Sequence, residues 1–196
     1  MACGTGKTFT TLWIKEQLNA TSTLILLPSL GLLSQTLHEW TLAANMPFEV
    51  LCVCSDNTVG NKGSDEAIHS VADVAFPVTS NVDDIRKFLC RDGAKVVFST
   101  YQSSPLVAEA QVVSTVPYFD LAIADEAHRC AGKAGNDFTT VLDAKSIRAN
   151  KRLFATATPR TYSSNVKKTA GERGIDVVGM DDESVFGKVL YSLPFG

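Results

Sequence analysis

The start of the chain carries residues suited to binding phosphate. Cys3-Gly4-Thr5-Gly6-Lys7-Thr8 sets two glycines before a lysine and a hydroxyl, and a helical pattern follows at once. Glycines let backbone N–H groups close around phosphate oxygens. The helix N-terminus adds a favourable dipole. Lys7 offers a point charge to β- and γ-phosphates, and Thr8 a hydroxyl to Mg²⁺. The strict pattern places a glycine five residues before Gly6, where Met1 stands instead. The competing reading is a plain glycine turn ahead of Lys-Thr.

A second group is Asp125-Glu126-Ala127-His128, which follows the apolar run Leu121-Ala122-Ile123-Ala124. Asp125 is placed to hold Mg²⁺ through water. Glu126 is placed to orient or deprotonate an attacking water. Two adjacent carboxylates repel unless a cation stands between them and the phosphates. His128 is either a structural histidine or a coupler of the nucleotide site to a neighbouring element. A third group, Ala155-Thr156-Ala157-Thr158-Pro159, also follows an apolar run. The hydroxyls of Thr156 and Thr158 can hydrogen-bond the carboxylates and relay their state. Alone, the segment is a turn before a proline.

These groups need elements to position them. Gly6–Asn19 reads as a helix with Phe9, Leu12 and Trp13 on one side. Thr23–Leu27 is a buried strand. Pro28 breaks it, and Ser29 caps a helix running to about Trp40 through Leu30, Leu33 and Leu37. Phe48–Cys54, Lys95–Thr100, Phe119–Asp125 and Arg152–Thr156 are further strands, and Val189–Leu193 is a weaker terminal one. Val82–Leu89 is helical, Asp56–Val74 begins as a loop, and Asp181-Asp182-Glu183 marks a helix start. Strands alternating with amphipathic helices predict an α/β fold: a mainly parallel sheet flanked by helices on both faces. Such sheets bind ligands at the carboxyl ends of their strands, where all three groups fall.

The chain has 196 residues and a net charge of −3, with 45% hydrophobic and 20% charged residues. These values fit a folded domain and exclude a disordered one. No apolar run reaches the length of a membrane span, and Gly4, Gly6 and Lys7 interrupt any signal peptide. Five cysteines at irregular spacing, without a CxxC pair, suggest neither a disulfide framework nor a zinc site, and fit a reducing, cytoplasmic compartment. Cys52 and Cys54 share one face of a strand and read as core. His38 and His69 stand alone and read as structural or solvated. Residues 129–196 carry 11 Lys+Arg against 7 Asp+Glu, whereas residues 1–128 carry 7 against 14. The basic part is either a polyanion-binding surface or a solvated face.

Taken in order, GTGKT, LLPSLGLLSQ, STYQS, DEAH and TATP resemble the motifs of superfamily 2 helicases and translocases. DEAH followed by Arg129, together with STYQ, most resembles the restriction-enzyme branch: type I and type III motor subunits and single-chain restriction-modification enzymes. The resemblance implies the first RecA-like domain of a motor that binds ATP and Mg²⁺ and steps along DNA. By it, Cys3, Gly4, Thr5, Gly6, Lys7 and Thr8 bind ATP, and Thr8 and Asp125 hold Mg²⁺. Lys7 and Glu126 are catalytic, and His128, Thr156 and Thr158 couple the site to its surroundings. Pro28, Ser29, Ser99, Thr100 and Tyr101 would face the DNA backbone, with Thr79-Ser80-Asn81 a looser candidate. Tyr101 has a second reading as a core ring. Contacts of this kind carry little sequence information, so an acidic domain can still touch DNA.

The resemblance also implies parts beyond this sequence. The family hangs its phosphate loop from an apolar strand, and nothing precedes Met1. The expectation is a domain of residues 1–196 without that strand, with a gap in the middle of its sheet beside Arg152–Thr156. A second RecA-like domain would supply an arginine finger, a device worth about 10³–10⁵ in rate. Nuclease and methyltransferase modules would accompany it, and no membrane is implied. Two functions stay open: an ATP-driven translocase motor serving restriction, or a nucleotide-dependent DNA-binding or interaction module without turnover of its own. A small-molecule kinase would have no use for DEAH and TATP.

Overall fold

The computed structural model describes residues 5–54, 76–133, 137–163 and 177–193, with residues 165, 169 and 172 isolated between the last two segments. The first helix, α1, spans Lys7–Gln17, and strand β1 follows at Ser22–Leu27. Helix α2 spans Leu30–Ala43, and β2 spans Glu49–Val53. A two-residue strand β3 at Val78–Thr79 leads into α3, Val82–Leu89. Strand β4, Lys95–Thr100, passes through a 3₁₀ turn into α4, Ser104–Gln111. Strand β5 is Phe119–Asp125, and β7 is Ala149–Ala155. Between them lies β6, Gly132–Lys133, which pairs antiparallel with β8, Val177–Val178.

Six strands form one sheet in the order β3-β2-β4-β1-β5-β7, with every pair parallel. Strand β1 lies between β4 and β5. Its successive residues point to opposite faces, and both faces are covered. Leu24 and Leu26 pack with Ile85, Phe88 and Val107 of α3 and α4. Ile25 and Leu27 pack with Leu12, Leu33, Leu37 and Trp40 of α1 and α2. This explains why β1 is an unbroken apolar run rather than an alternating one. The register aligns Leu27 with Thr100 and Asp125 with Ala155. The segments after β1, β4, β5 and β7 therefore emerge at one edge of the sheet.

Local chemistry sets the element ends. Ser29 caps α2 by accepting from Leu32 N–H, and Asn81 caps α3 by accepting from Asp83 N–H. At the opposite edge of the sheet, one Asp120 carboxylate oxygen accepts from the N–H groups of Thr21 and Ser22 and from the Thr21 hydroxyl, at 2.9–3.0 Å. This ties the entrance of β1 to β5.

Several sequence expectations are corrected. The six strands are contiguous and β7 ends the row; no further strand lies beside it among the described residues, as expected, but the place is an open edge and not a gap between strands. Val189–Leu193 forms no strand, and Val189, Leu190 and Tyr191 are exposed. An apolar run becomes a strand only when a neighbour completes its ladder. Strand β7 begins earlier than its apolar run, because edge positions such as Asn150 and Lys151 need not be hydrophobic. On α1 the buried residues are Thr11, Leu12 and Lys15; Trp13 is exposed and stacks on Phe9, four residues away. Helix α4 and the β6–β8 pair carry no clear pattern and were not expected. Ser29 as a cap, Val82–Leu89 as a helix and the helix start at Asp182 agree with the structure. Cys52 and Cys54 are buried and His38 is exposed. Asp56–Val74 and His69 lie outside the described residues.

Candidate nucleotide site

Gly6 occupies the left-handed region at φ +81°, ψ +28°, and forms the N-cap of α1 without any side-chain cap. That conformation suits glycine. Among the described residues nothing lies within 4 Å of where a Cβ at Gly6 would stand, so they leave open space beside the loop. The first turn of α1 carries no acidic residue. An uncapped 11-residue helix with free space at its N-terminus fits an anion. Trp40, fully buried on α2, fixes this turn from behind. Its indole Nε1–H donates to the Thr8 carbonyl at 3.0 Å, and its ring packs edge-on against Phe98 and Phe48. Sequence reading saw Trp40 only as an apolar helix position. The helical spacing gave no sign that its N–H would reach α1.

Lys7 and Glu126 meet across the sheet edge. Lys7 Nζ donates to Glu126 Oε1 at 2.7 Å, with the two side chains 11% and 22% exposed. Glu126 is itself left-handed, at φ +48°, ψ +45°. For a residue with a Cβ this costs about 1–2 kcal/mol. Its N–H donates to Asp125 Oδ1 at 2.9 Å, and its carbonyl accepts from Arg129 N–H. Burial pushes the Asp125 carboxyl upward in pKa; the hydrogen bond from Glu126 and the charge of Lys7 oppose this without cancelling it. A cation beside Asp125 would reverse that balance.

His128 sits at the hub of the other contacts. Its Nδ1 lies 3.0 Å from Thr156 Oγ1, 3.4 Å from Thr158 Oγ1 and 3.3 Å from Glu126 Oε2. Burial holds the imidazole below its ordinary pKa; the Glu126 carboxylate opposes this, while Arg160, Arg129 and Lys7 reinforce it. His128 thus links both threonines to the Glu126 carboxylate.

The remaining predicted residues divide. Cys3 and Gly4 lie outside the described residues, while Thr5 and Thr8 are half-buried beside Gly6 and Lys7. Thr8 and Asp125 offer hard oxygen donors, the kind Mg²⁺ accepts alongside water and phosphate. Among the described residues no group of three His, Cys, Asp or Glu side chains forms a self-sufficient metal site.

The expected DNA contacts fare differently. Ser99, Thr100 and Tyr101 are fully buried, and Pro28 is buried. The side chains of Ser99 and Thr100 are enclosed because β4 is an inner strand covered on both faces. For Tyr101 the core reading holds: its hydroxyl donates to the Asp125 carbonyl at 2.7 Å. Ser29 is half-exposed and Gln102 exposed. Thr79 and Asn81 bond within their own turn and to α3.

The family model for the type III restriction enzyme res subunit matches residues 1–161. The chain belongs to that family. A probable helicase of African swine fever virus (isolate Tick/Malawi/Lil 20-1/1983) is 36% identical to this res-family chain over 161 residues, 82% of it and 16% of the relative. The type ISP restriction-modification enzyme LlaGI, in a nuclease-deletion form with a DNA substrate mimic, superposes with a TM-score of 0.72 at 33% identity. That match covers 100% of the res-family chain and 17% of LlaGI. DNA-bound LlaBIII, an ATP-dependent type ISP enzyme, gives 0.73 at 33% identity over 98% of the chain and 13% of LlaBIII. The Hef helicase domain of Pyrococcus furiosus, at 20% identity and a TM-score of 0.55, shares the fold. The sheet is thus that of a RecA-like helicase domain. The chain spans a small part of each relative's length.

Proposed function

We propose that residues 1–196 are the first RecA-like domain of a larger restriction-modification enzyme, a motor that couples ATP hydrolysis to movement on DNA. The observation that carries this reading is the 2.7 Å pair between Lys7 of the phosphate loop and Glu126 beyond β5. A lysine at the phosphate end and a carboxylate at the water end are the two charges that hydrolysis of a nucleoside triphosphate needs.

In the reaction, Lys7 Nζ leaves Glu126 for the β- and γ-phosphate oxygens. The released Glu126 carboxylate orients the attacking water and accepts its proton. N–H groups of the first turn of α1 hold phosphate oxygens, with the Trp40 bond to Thr8 keeping the turn in place. Mg²⁺, held by Thr8 and Asp125, would neutralise developing phosphate charge. His128 passes the state of Glu126 to Thr156 and Thr158 on the segment leaving β7.

The DNA-bound relatives LlaGI and LlaBIII support DNA as the track. In this chain Ser29, Ser80, Asn81 and Gln102 are among the groups on the expected DNA segments that solvent reaches. The rest of the enzyme would contribute the second RecA-like domain with its arginine finger, and nuclease and methyltransferase modules. Cys52, Cys54, Cys90 and Cys130 stand outside any disulfide, which suits a cytoplasmic enzyme. Among the described residues no helix is long and apolar enough to cross a membrane.

Calorimetric titration with Mg-ATP tests the reading. The chain should show saturable binding that Lys7→Ala abolishes, and turnover by the chain alone should stay below about 1 s⁻¹ for want of the second domain. Absence of binding in the chain, or equal binding in Lys7→Ala, would overturn it.

A further inference from the structure

Glu126 can face Lys7 only because the peptide unit before it is turned into a left-handed residue. That unit consists of the Asp125 carbonyl and the Glu126 N–H, and both ends are bonded. The N–H donates to Asp125 Oδ1 at 2.9 Å, and the carbonyl accepts from the Tyr101 hydroxyl at 2.7 Å. The two anchors differ in kind. Asp125 is on the same short segment and can move with it. Tyr101 comes from the end of β4, and its ring is fully buried among Val107, Phe119 and Ala127. A packed aromatic ring cannot swing, so its hydroxyl is a fixed point. The same hydroxyl also has the buried thiol of Cys130, four residues after Glu126, as a hydrogen-bond neighbour. One phenol thus touches both sides of the turn that presents Glu126.

We propose that Tyr101 is a positioning residue for the hydrolytic carboxylate: its hydroxyl locks the Asp125–Glu126 peptide and so aims Glu126 at the Lys7 end of the nucleotide site. Tyr101 is fully buried and acts on Glu126 through this peptide. The hydroxyl also ties the segment after β4, whose next residue Gln102 is exposed, to the peptide that carries Glu126. The proposal rests on the nucleotide-site reading above for its catalytic consequence, but the mechanical claim stands apart from it.

The test is Tyr101→Phe, which keeps the packed ring and removes only the hydroxyl. Amide hydrogen exchange of the chain, read by NMR, should speed up at least tenfold at Glu126 while Ile123 in β5 stays as protected as before. With excess chain over Mg-ATP, the single-turnover rate should fall about tenfold with the Kd for Mg-ATP changed less than twofold. Unchanged exchange at Glu126 would overturn the proposal whether or not the chain hydrolyses ATP. Equal acceleration at Glu126 and Ile123, or a parallel loss of rate and affinity, would reduce Tyr101 to a packing residue and also overturn it. Failure of the nucleotide reading would appear separately, as absence of Mg-ATP binding by the unaltered chain.

Discussion

Lys7 and Glu126 stand 119 positions apart in sequence and form a 2.7 Å ion pair at the carboxyl edge of the sheet. The pair is partly shielded from water, so each charge is the other's main partner. On the proposed mechanism a nucleotide displaces Glu126 to reach Lys7.

Glu126→Gln should separate the two roles of that pair. The amide cannot take a proton from water, so turnover should fall more than about 100-fold. Loss of the carboxylate also frees Lys7 and removes a negative charge beside the phosphates. Affinity for Mg-ATP should rise about threefold to tenfold, a gain of roughly 1 kcal/mol. Calorimetry beside a phosphate-release assay reads both. Weaker binding in the variant would show that Glu126 supports the nucleotide instead of competing with it.

Trp40→Phe should loosen the phosphate loop from behind. The substitution removes the indole donor to the Thr8 carbonyl and leaves a void among Phe48, Phe98 and Leu12. The Thr11 hydroxyl still donates to that carbonyl, which limits the loss. About 2–3 kcal/mol of stability should go, measurable by urea unfolding.

Asp120→Asn should show in the acid limb of stability. Burial alone would raise the Asp120 carboxyl, but the hydrogen bonds from Ser22 and Thr21 outweigh it and hold the group below its ordinary value. A carboxyl lowered on folding adds stability above its unfolded pKa and loses it as pH falls through the folded one. At pH 7 the variant should be about 1–2 kcal/mol less stable than the unaltered chain. The difference should shrink below about pH 4. A gap that stays constant down to pH 2 would mean that Asp120 acts by shape and not by charge.

Thr156→Val should matter more than Thr158→Val. His128 Nδ1 is 3.0 Å from the first hydroxyl and 3.4 Å from the second. Both variants should keep Mg-ATP affinity, while DNA-stimulated hydrolysis in the larger enzyme falls several-fold more for Thr156. Equal effects would place the relay elsewhere on the segment after β7.

Much of the site was legible because its residues announce themselves locally. A glycine-lysine-threonine run before a helix has few other uses, and adjacent carboxylates at a strand tip are costly without a purpose. The inner strands were legible too, since burial on both faces leaves an unbroken apolar run such as Thr23–Leu27. The edge strand β7 and the exposed Val189–Leu193 were read less well. Hydrophobicity along a segment does not say whether a neighbour is there to complete the ladder.

The sequence by itself determined the inner strands, helices α1 to α3, the parallel α/β class and the residue types proposed to bind phosphate and handle water. Only the tertiary structure decided which distant groups meet. Lys7 faces Glu126, Trp40 holds Thr8, His128 gathers Thr156 and Glu126, and Tyr101, which the sequence left open between DNA contact and core ring, is the buried partner of the Asp125 carbonyl. The reason is physical. Periodicity fixes which side of an element a residue occupies, but strand order and register fix what lies opposite, and those are set by packing of the whole sheet between its two helical layers.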